Sequence, residues 1–548
     1  MSQQKITIRD LSVPLPHKIS LKRYKRPLIL LVGVLILSII TCYVINFNLK
    51  DLTYGLPKGL EVISFMFPPD WSAFSEMLMP ALQTIVIALL GTLFGSALSI
   101  FFGLAAATNI SPKWLRNTTR FLIATERSLP EIVIILILVA GLGLGPFPGV
   151  MALALGCIGM LGKLLGDAIE EIDHKTLEAI QATGASKFQV IRFGVLPQIV
   201  PTIIANTIFR FEINIRMSVI LGAVGAGGIG YELYHSFGLL EYQRTTSALI
   251  VILLLVFCTE RISDFLRKRI LDDNEVMKRA DVKIFLPSRK YKSQMTIFTT
   301  ILFVAVGLFV VLGIDPIIFF TDFHYMISLI FNDMLPPNFA LLWKGSQIFK
   351  SIGETLSMAF LGTLIGGSLA LFLAFFASTN TSPNKYVRML VRTLLAFERV
   401  TPHLVIILIF VIALGIGPFS GTCALIISTI GTFGKLFSDS IEQVDKNPIE
   451  AIYSTGANKL QAIRFGILPQ AIPSIIANWL YAFDVNLRLA IGLGIFGGGG
   501  IGFELYMAMK VLRYKDAMAI IVIIIILISS IEKVSDFFRR KILNENKI

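Results

Sequence analysis

The chain has 548 residues, of which 55% are hydrophobic and only 16% charged, with a mean hydropathy of +0.75. A soluble chain of this length is roughly a quarter charged and cannot hide so much apolar surface, which excludes a soluble enzyme, a nucleic-acid-binding protein and a disordered scaffold. The net charge of +13 is read by where it sits, because membrane proteins gather Lys and Arg in their cytoplasmic loops.

A span needs about 20 mostly apolar residues. In chain order the runs fall at 27–47, 81–107, 129–145, 149–165, 199–222 and 245–260, then at 296–320, 352–378, 400–417, 420–437, 471–494 and 517–531. The third and fourth runs of each set are short and hinge at Gly145-Pro146 or Gly417-Pro418. The first run follows a basic segment but is too long for a signal peptide and has no small-residue cleavage site after it, so an uncleaved span is expected. Bases cluster before that run, at 113–127, at 261–292 (ten Lys and Arg), at 385–399 and at Arg539-Arg540-Lys541. About twelve spans with both termini and the centre of the chain in the cytoplasm accommodate every cluster. The expected parts are a cytoplasmic arm (1–26), a first six-helix domain (27–260), a cytoplasmic linker (261–295), a second domain (296–538) and a cytoplasmic tail (539–548). The four cysteines lie in apolar runs without metal-ligand spacing or a disulfide pattern.

The two sets are copies. The segment Glu178–Asn206 recurs 272 residues later as Glu450–Asn478, with 20 of 29 positions identical. The same offset relates Glu126-Arg127 to Glu398-Arg399, Lys163 to Lys435 and Gly230 to Gly502, whereas Thr108-Asn109 maps to Thr379-Asn380 at 271. Repeats doing one job lie on one side of the membrane, so each half holds an even number of spans. The expected architecture is all-α, two parallel six-helix repeats related by an axis along the membrane normal, with the path between them.

In each copy the segment reads as a cytoplasmic helix, a turn at Gly184 or Gly456, a second helix, and a break at Pro197 or Pro469. Small residues at 179, 182 and 185 let such a helix seat closely in a groove of another protein, and glycine permits the sharp turn that presents it. The spacing Glu178, Ala179, Gly184, Leu196 and Pro197, repeated as Glu450, Ala451, Gly456, Leu468 and Pro469, resembles the EAA loop of ABC importer permeases. Ile180 and Ile452 depart from the usual alanine, and Gly194 and Gly466 from the usual isoleucine. Stretches such as GLGLGPFPGVMAL, RFEINIR and GAVGAGGIGYEL, FPPDW at 67–71, and the second-half ALGIGPFSG and GIFGGGGIGFEL are similar to phosphonate-importer permeases. That resemblance covers nearly all of both halves and implies two fused permease units of the type I ABC importer fold. It also implies docking of two cytoplasmic ATP-binding subunits on the repeated loops and delivery of a small oxyanion by an extracytoplasmic solute-binding protein.

Gly225–Gly230 and Gly497–Gly502 match the GxGxxG dinucleotide pattern, but that pattern has meaning only between a strand and a helix of a parallel sheet. A close-packing turn at the outer mouth is expected instead. The Gly162-Lys163 and Gly434-Lys435 pairs lack the rest of a phosphate-binding loop, so energy must come from a partner. No catalytic, metal or cofactor residue is expected, and the only other partner is membrane lipid. Charges inside spans are costly and usually carry a function. Glu212 with Arg216, and Asp484 with Arg488, are spaced i and i+4. Each is read either as an internally neutralised pair or as arginines facing the axis, where a guanidinium fork suits a phosphorus oxyanion, with Asn214 and Asn486 as neutral donors. Arg210 corresponds to Ala482, and Glu131 to His403. Lys163–Asp167 and Lys435–Asp439 are further i and i+4 pairs, expected to anchor a span end. The rival readings are a permease for another small solute and an ion-coupled secondary transporter, which parallel repeats also allow.

Overall fold

A computed structural model describes residues 21–172, 174–279, 317–343 and 347–544. The expected arm up to residue 20, most of the run at 296–320, and residues 280–295 and 545–548 lie outside the described residues. Regular structure among the described residues is helical throughout. The first half comprises α1 (Leu21–Val44), α2 (Leu49–Phe65), α3 (Phe74–Ala106), α4 (Lys113–Arg127), α5 (Glu131–Leu142), α6 (Pro146–Glu170), α7 (His174–Ala182), α8 (Leu196–Leu221), α9 (Gly228–Gly238) and α10 (Tyr242–Arg279). The second comprises α11 (Ile317–Ser328), α12 (Gln347–Ala377), α13 (Lys385–Val400), α14 (His403–Leu414), α15 (Pro418–Glu442), α16 (Lys446–Ser454), α17 (Leu468–Leu493), α18 (Gly500–Lys510) and α19 (Tyr514–Asn544).

Among the described residues seven helices are long and apolar enough to cross a membrane, or eight if the bent pair α13/α14 counts as one span. The hinged runs resolve unequally. α5 and α14 have 12 residues each, about 18 Å at 1.5 Å per residue, whereas α6 and α15 have 25. A proline in the first helical turn explains where the long members start: Pro146 and Pro418 supply a preset φ where no amide is needed. The charge-rich stretch after residue 260 begins as helix, since α10 runs unbroken to Arg279.

Internal bonds repeat as the sequence does. The Ile229 amide donates to Thr84 Oγ1 (2.8 Å) and the Ile501 amide to Thr355 Oγ1 (2.9 Å). Glu170 holds Arg120 at 2.5 Å and the Thr108 amide, while Glu442 holds Arg392 at 2.5 Å and the Thr379 amide. These two glutamates fasten the C-terminal ends of α6 and α15, whereas Lys163–Asp167 and Lys435–Asp439 are not among the ion pairs formed by the described residues. The change of offset falls at Asn384, the extra residue after Pro383, whose side chain caps α13 by accepting from the Val387 amide (2.8 Å).

The halves are packed through exchange. α2 lies on α14 of the second half, and α11 lies on α5 of the first. Buried apolar residues of both halves, among them Ile87, Ile135, Leu153, Leu404, Leu487 and Ile491, form one continuous cluster. Both seams rely on small residues that let backbones approach. A Cβ on Gly55 would lie 2.8 Å from the Ala413 carbonyl oxygen, and one on Gly141 would lie 3.2 Å from Met326 Cα. Gly55→Leu is therefore expected to destabilise the chain by about 1–3 kcal/mol through overpacking. Thermal unfolding in detergent checks this against Gly33→Leu, where a Cβ meets nothing within 4 Å; equal midpoints for the two variants would refute the seam.

Candidate functional site

Each repeated segment is an elbow mounted on its own small core. Under α7 lie Ile169, Leu177, Val190, Val195 and Ile199; the corresponding second cluster holds Phe437, Ile441, Ile467, Ala471 and Ile475. The turn between the two helical parts sits at Gly184 and Gly456, both with φ +81, a left-handed conformation that glycine adopts without a Cβ penalty. A capping box then starts the next turn: Ser186 with Gln189 in one half, Asn458 with Gln461 in the other. The expected break at the proline is absent. The helical run continues from Lys187 to Ala226, and from Lys459 to Gly498, with Pro197 and Pro469 directly after a wide turn that the Leu196 and Leu468 amides close on Ile191 and Ile463.

The predicted contact residues come together on the outside of these elbows. Glu178, Ala179, Gly184, Glu450, Ala451 and Gly456 are exposed, as is Pro469, while Leu196, Pro197 and Leu468 are half-buried at the root of the next helix. Large apolar side chains beside them, including Phe188, Phe193, Leu460 and Phe465, are also exposed. An arginine stands over an aromatic ring on each elbow: Arg192 on Phe193 at 5.6 Å, and Arg464 on Phe465 at 5.5 Å. The two departures from the permease pattern touch each other. A Cβ on Gly194 would lie 3.0 Å from Ile180 Cδ1, and one on Gly466 would lie 3.1 Å from Ile452 Cδ1. The larger residue at one position fills the room left by glycine at the other.

The intramembrane charges sort into two reciprocal clusters. Arg216 pairs with Glu212 at 2.8 Å, and Arg488 with Asp484 at 3.1 Å, as the i and i+4 spacing requires. Sequence reasoning missed their neighbours. Arg127 of the first half holds Glu532 of the second at 2.6 Å, and Arg399 of the second holds Glu260 of the first. Both arginines and both glutamates are related by 272 residues, so the pairs are one contact seen twice about a pseudo-twofold axis. Glu532 is shared, since Arg488 lies 3.6 Å from its other oxygen. Arg399 in turn senses the charges of Arg216 and Glu212. Each cluster thus contains two arginines and two carboxylates drawn from both halves. The repeat itself carried the signal: charged residues kept in register at the ends of two different spans.

Asn214 and Asn486 stand apart from these clusters. Both are fully buried (0% exposed), the Asn214 amide donating to Thr92 at 2.8 Å and that of Asn486 to Thr363 and Thr429 at 2.8 and 2.9 Å. The asymmetric residues also prove to be partners. Arg210 forms a buried ion pair with Glu131, and at the two matching positions the second half has Ala482 and a half-buried His403. The ion pair of one half therefore has no counterpart in the other.

At the other end of α8 and α17 the glycine turns have their amides taken by neighbouring side chains. Gly228 N–H donates to Gln83 (2.8 Å) and Gly500 N–H to Glu354 (3.2 Å), which leaves no pyrophosphate cradle. Beside the first turn is a cavity of about 310 Å³ lined by Leu144, Gly225, Tyr231, Tyr234 and His235. The FPPDW motif is tied down through Asp70, whose carbonyl accepts from Ser247 (2.7 Å). The Ser72 hydroxyl bonded to its carboxylate holds Asp70 below the usual carboxylate range.

A model of the family described as "binding-protein-dependent transport system inner membrane component" matches residues 99–272 and again 362–543. The chain is 34% identical to a phosphate-import permease of Mycolicibacterium smegmatis over 507 residues, 92% of this chain and 93% of that protein. It is 37% identical to a phosphite transport system permease of Stutzerimonas stutzeri over 227 residues, 41% of this chain and 82% of that protein. A chain of the solved MetNI methionine ABC transporter overlaps 37% of this chain and 99% of its own length at 17% identity, with a TM-score of 0.34.

Proposed function

The chain belongs to the family of binding-protein-dependent transport system inner membrane components, and from that premise we propose that it is a two-unit permease of a type I ABC importer for a phosphorus oxyanion. Phosphate, phosphite and phosphonate share the tetrahedral oxygen face that a guanidinium fork recognises. Two ATP-binding subunits dock on the elbows at 178–197 and 450–469 from the cytoplasm, where both termini also lie. An extracytoplasmic solute-binding protein delivers the anion to the opposite mouth. The observation that carries this reading is the pair of exposed elbows, each built on its own core, in halves joined by reciprocal ion pairs.

In this mechanism closure of the motor subunits moves the elbows together, and because each elbow is rooted in a long continuous helix, the motion reaches Arg216 and Arg488 on α8 and α17. An oxyanion entering at the axis competes with Glu212 and Asp484 for these guanidinium groups. The carboxylates neutralise the arginines when no anion is present, which lowers the cost of holding bare charge within the membrane. Occupancy of Arg488 also releases Glu532 to Arg127, so binding and contact between the halves share one acid.

The test is ATP hydrolysis and uptake in proteoliposomes holding the full chain with its motor subunits and solute-binding protein. Phosphorus oxyanions should stimulate hydrolysis. Arg216→Ala with Arg488→Ala should lower uptake about tenfold or more while leaving co-purification of the motor unchanged. Wild-type uptake in that variant would remove the oxyanion path. Uptake that needs no motor subunit and collapses with an uncoupler would instead make the chain a secondary transporter.

A further inference from the structure

We propose that α4 and α13 are in-plane membrane helices that bind anionic phospholipid headgroups of the cytoplasmic leaflet. α14 is apolar from Leu404 to Leu414, and half of its residues are buried. The bend of 85° between it and α13 therefore lays α13 along the membrane surface when α14 enters the bilayer. α4 precedes α5 in the same way, through Pro130 where the second half has Pro402.

Both helices carry three faces, set by about 100° per residue. One is buried against the bundle through Thr119 and Ile123, or Val391 and Leu395. The second is apolar yet exposed, with Trp114, Phe121 and Leu122 on α4 and Tyr386, Leu390 and Phe397 on α13. The third is basic. On it Arg120 and Arg392 are paired to glutamates, and Arg127 and Arg399 reach the opposite half. Lys113 and Arg116, and their counterparts Lys385 and Arg388, form no ion pair among the described residues, and the two lysines are exposed.

A helix with an apolar face turned out of the protein and bases alongside it fits the interface of a membrane rather than a second protein. Its apolar side chains reach the acyl boundary and its cations meet lipid phosphates. The surface is repeated in both halves although the intervening sequences differ, and each helix carries in its last turn the arginine that holds the other half. Lipid bound along α4 and α13 thus fixes the direction from which Arg127 and Arg399 reach across.

The experiment uses the purified full chain in mixed micelles with equal phosphatidylglycerol and phosphatidylcholine, bound lipid being extracted and counted. The wild type should retain the anionic lipid over the neutral one by about tenfold. K113Q/R116Q/K385Q/R388Q should bring that ratio close to one, whereas K113R/R116K/K385R/R388K, which keeps the charge, should preserve it. Raising salt should lower the wild-type ratio, a measurement that stands even if the neutral variant fails to fold. An equal ratio in the wild type, a ratio indifferent to salt, an unchanged ratio in a folded neutral variant, or displacement of the lipid by equimolar inorganic phosphate would overturn the proposal.

Discussion

Glu178→Lys combined with Glu450→Lys is expected to abolish uptake and to strip the motor subunits from the purified chain. Both glutamates are exposed and sit one residue from an exposed alanine on the outward side of an elbow, so neither reversal disturbs the bundle. Surface changes of this kind usually stay within about 0.5 kcal/mol of the parent stability, and the thermal midpoint should not move. At a docking face, by contrast, two charge mismatches of about 1.5 kcal/mol each weaken binding on the order of 100-fold. Single reversals should show intermediate losses, because each elbow is served by its own small core. The measurements are co-purification of the motor with the tagged chain and oxyanion uptake in vesicles. Normal values for both in the double variant would mean that the elbows are not where force enters.

The second large effect concerns the contacts between halves. Arg127→Met with Arg399→Met should destabilise the chain by about 2 kcal/mol at each site, because Glu260 and Glu532 are then left part-buried without their cross-half partners. Glu532 retains Arg488, so of the two sites the one around Glu260 should suffer more. Adding Glu260→Gln and Glu532→Gln removes the stranded charges, and this quadruple neutral variant should recover much of the lost stability, since replacing a whole pair is far milder than breaking it. Uptake should not recover with it, because the halves would then lack the ionic contact that reports on their approach. Denaturant unfolding and uptake on the same four variants check both statements. If the glutamine changes made the double methionine variant no more stable, the reciprocal pairs would not be the contact described.

Much of this was legible before any coordinates. Duplication at 272 residues, the apolar runs and the elbow spacing all follow from local pattern, and the family match in both halves bears out the tandem permease reading. Periodicity is silent, however, on which helix meets which. Arg127 and Glu532 are 405 residues apart, and nothing in either neighbourhood points to the other. The same holds for Arg210 with Glu131 and for Ile180 with Gly194. In each case the sequence displays two separate oddities, and only packing reveals that one compensates the other. The proline that reads as a helix breaker illustrates a different gap. Pro197 follows a wide turn at Val190–Val195 that the Leu196 amide closes on the Ile191 carbonyl, so the helix passes through the residue that has no amide of its own.

The exchange of α2 and α11 has a consequence for how the two units recognise one another. Each unit carries both an arginine and a glutamate of the ionic contact, so on charge alone a unit could mate with a duplicate of itself. The seams add a difference in shape. The first unit offers glycine on both sides, Gly55 and Gly141, whereas the second offers Met326 and Ala413 at those places. Pairing of unlike units sets Met326 against the bare backbone of Gly141 on one flank and Ala413 against Gly55 on the other. A pair of second units would instead set Met326 against Ala413, where the room that glycine leaves is filled. Shape therefore adds to charge in favouring the unlike pairing.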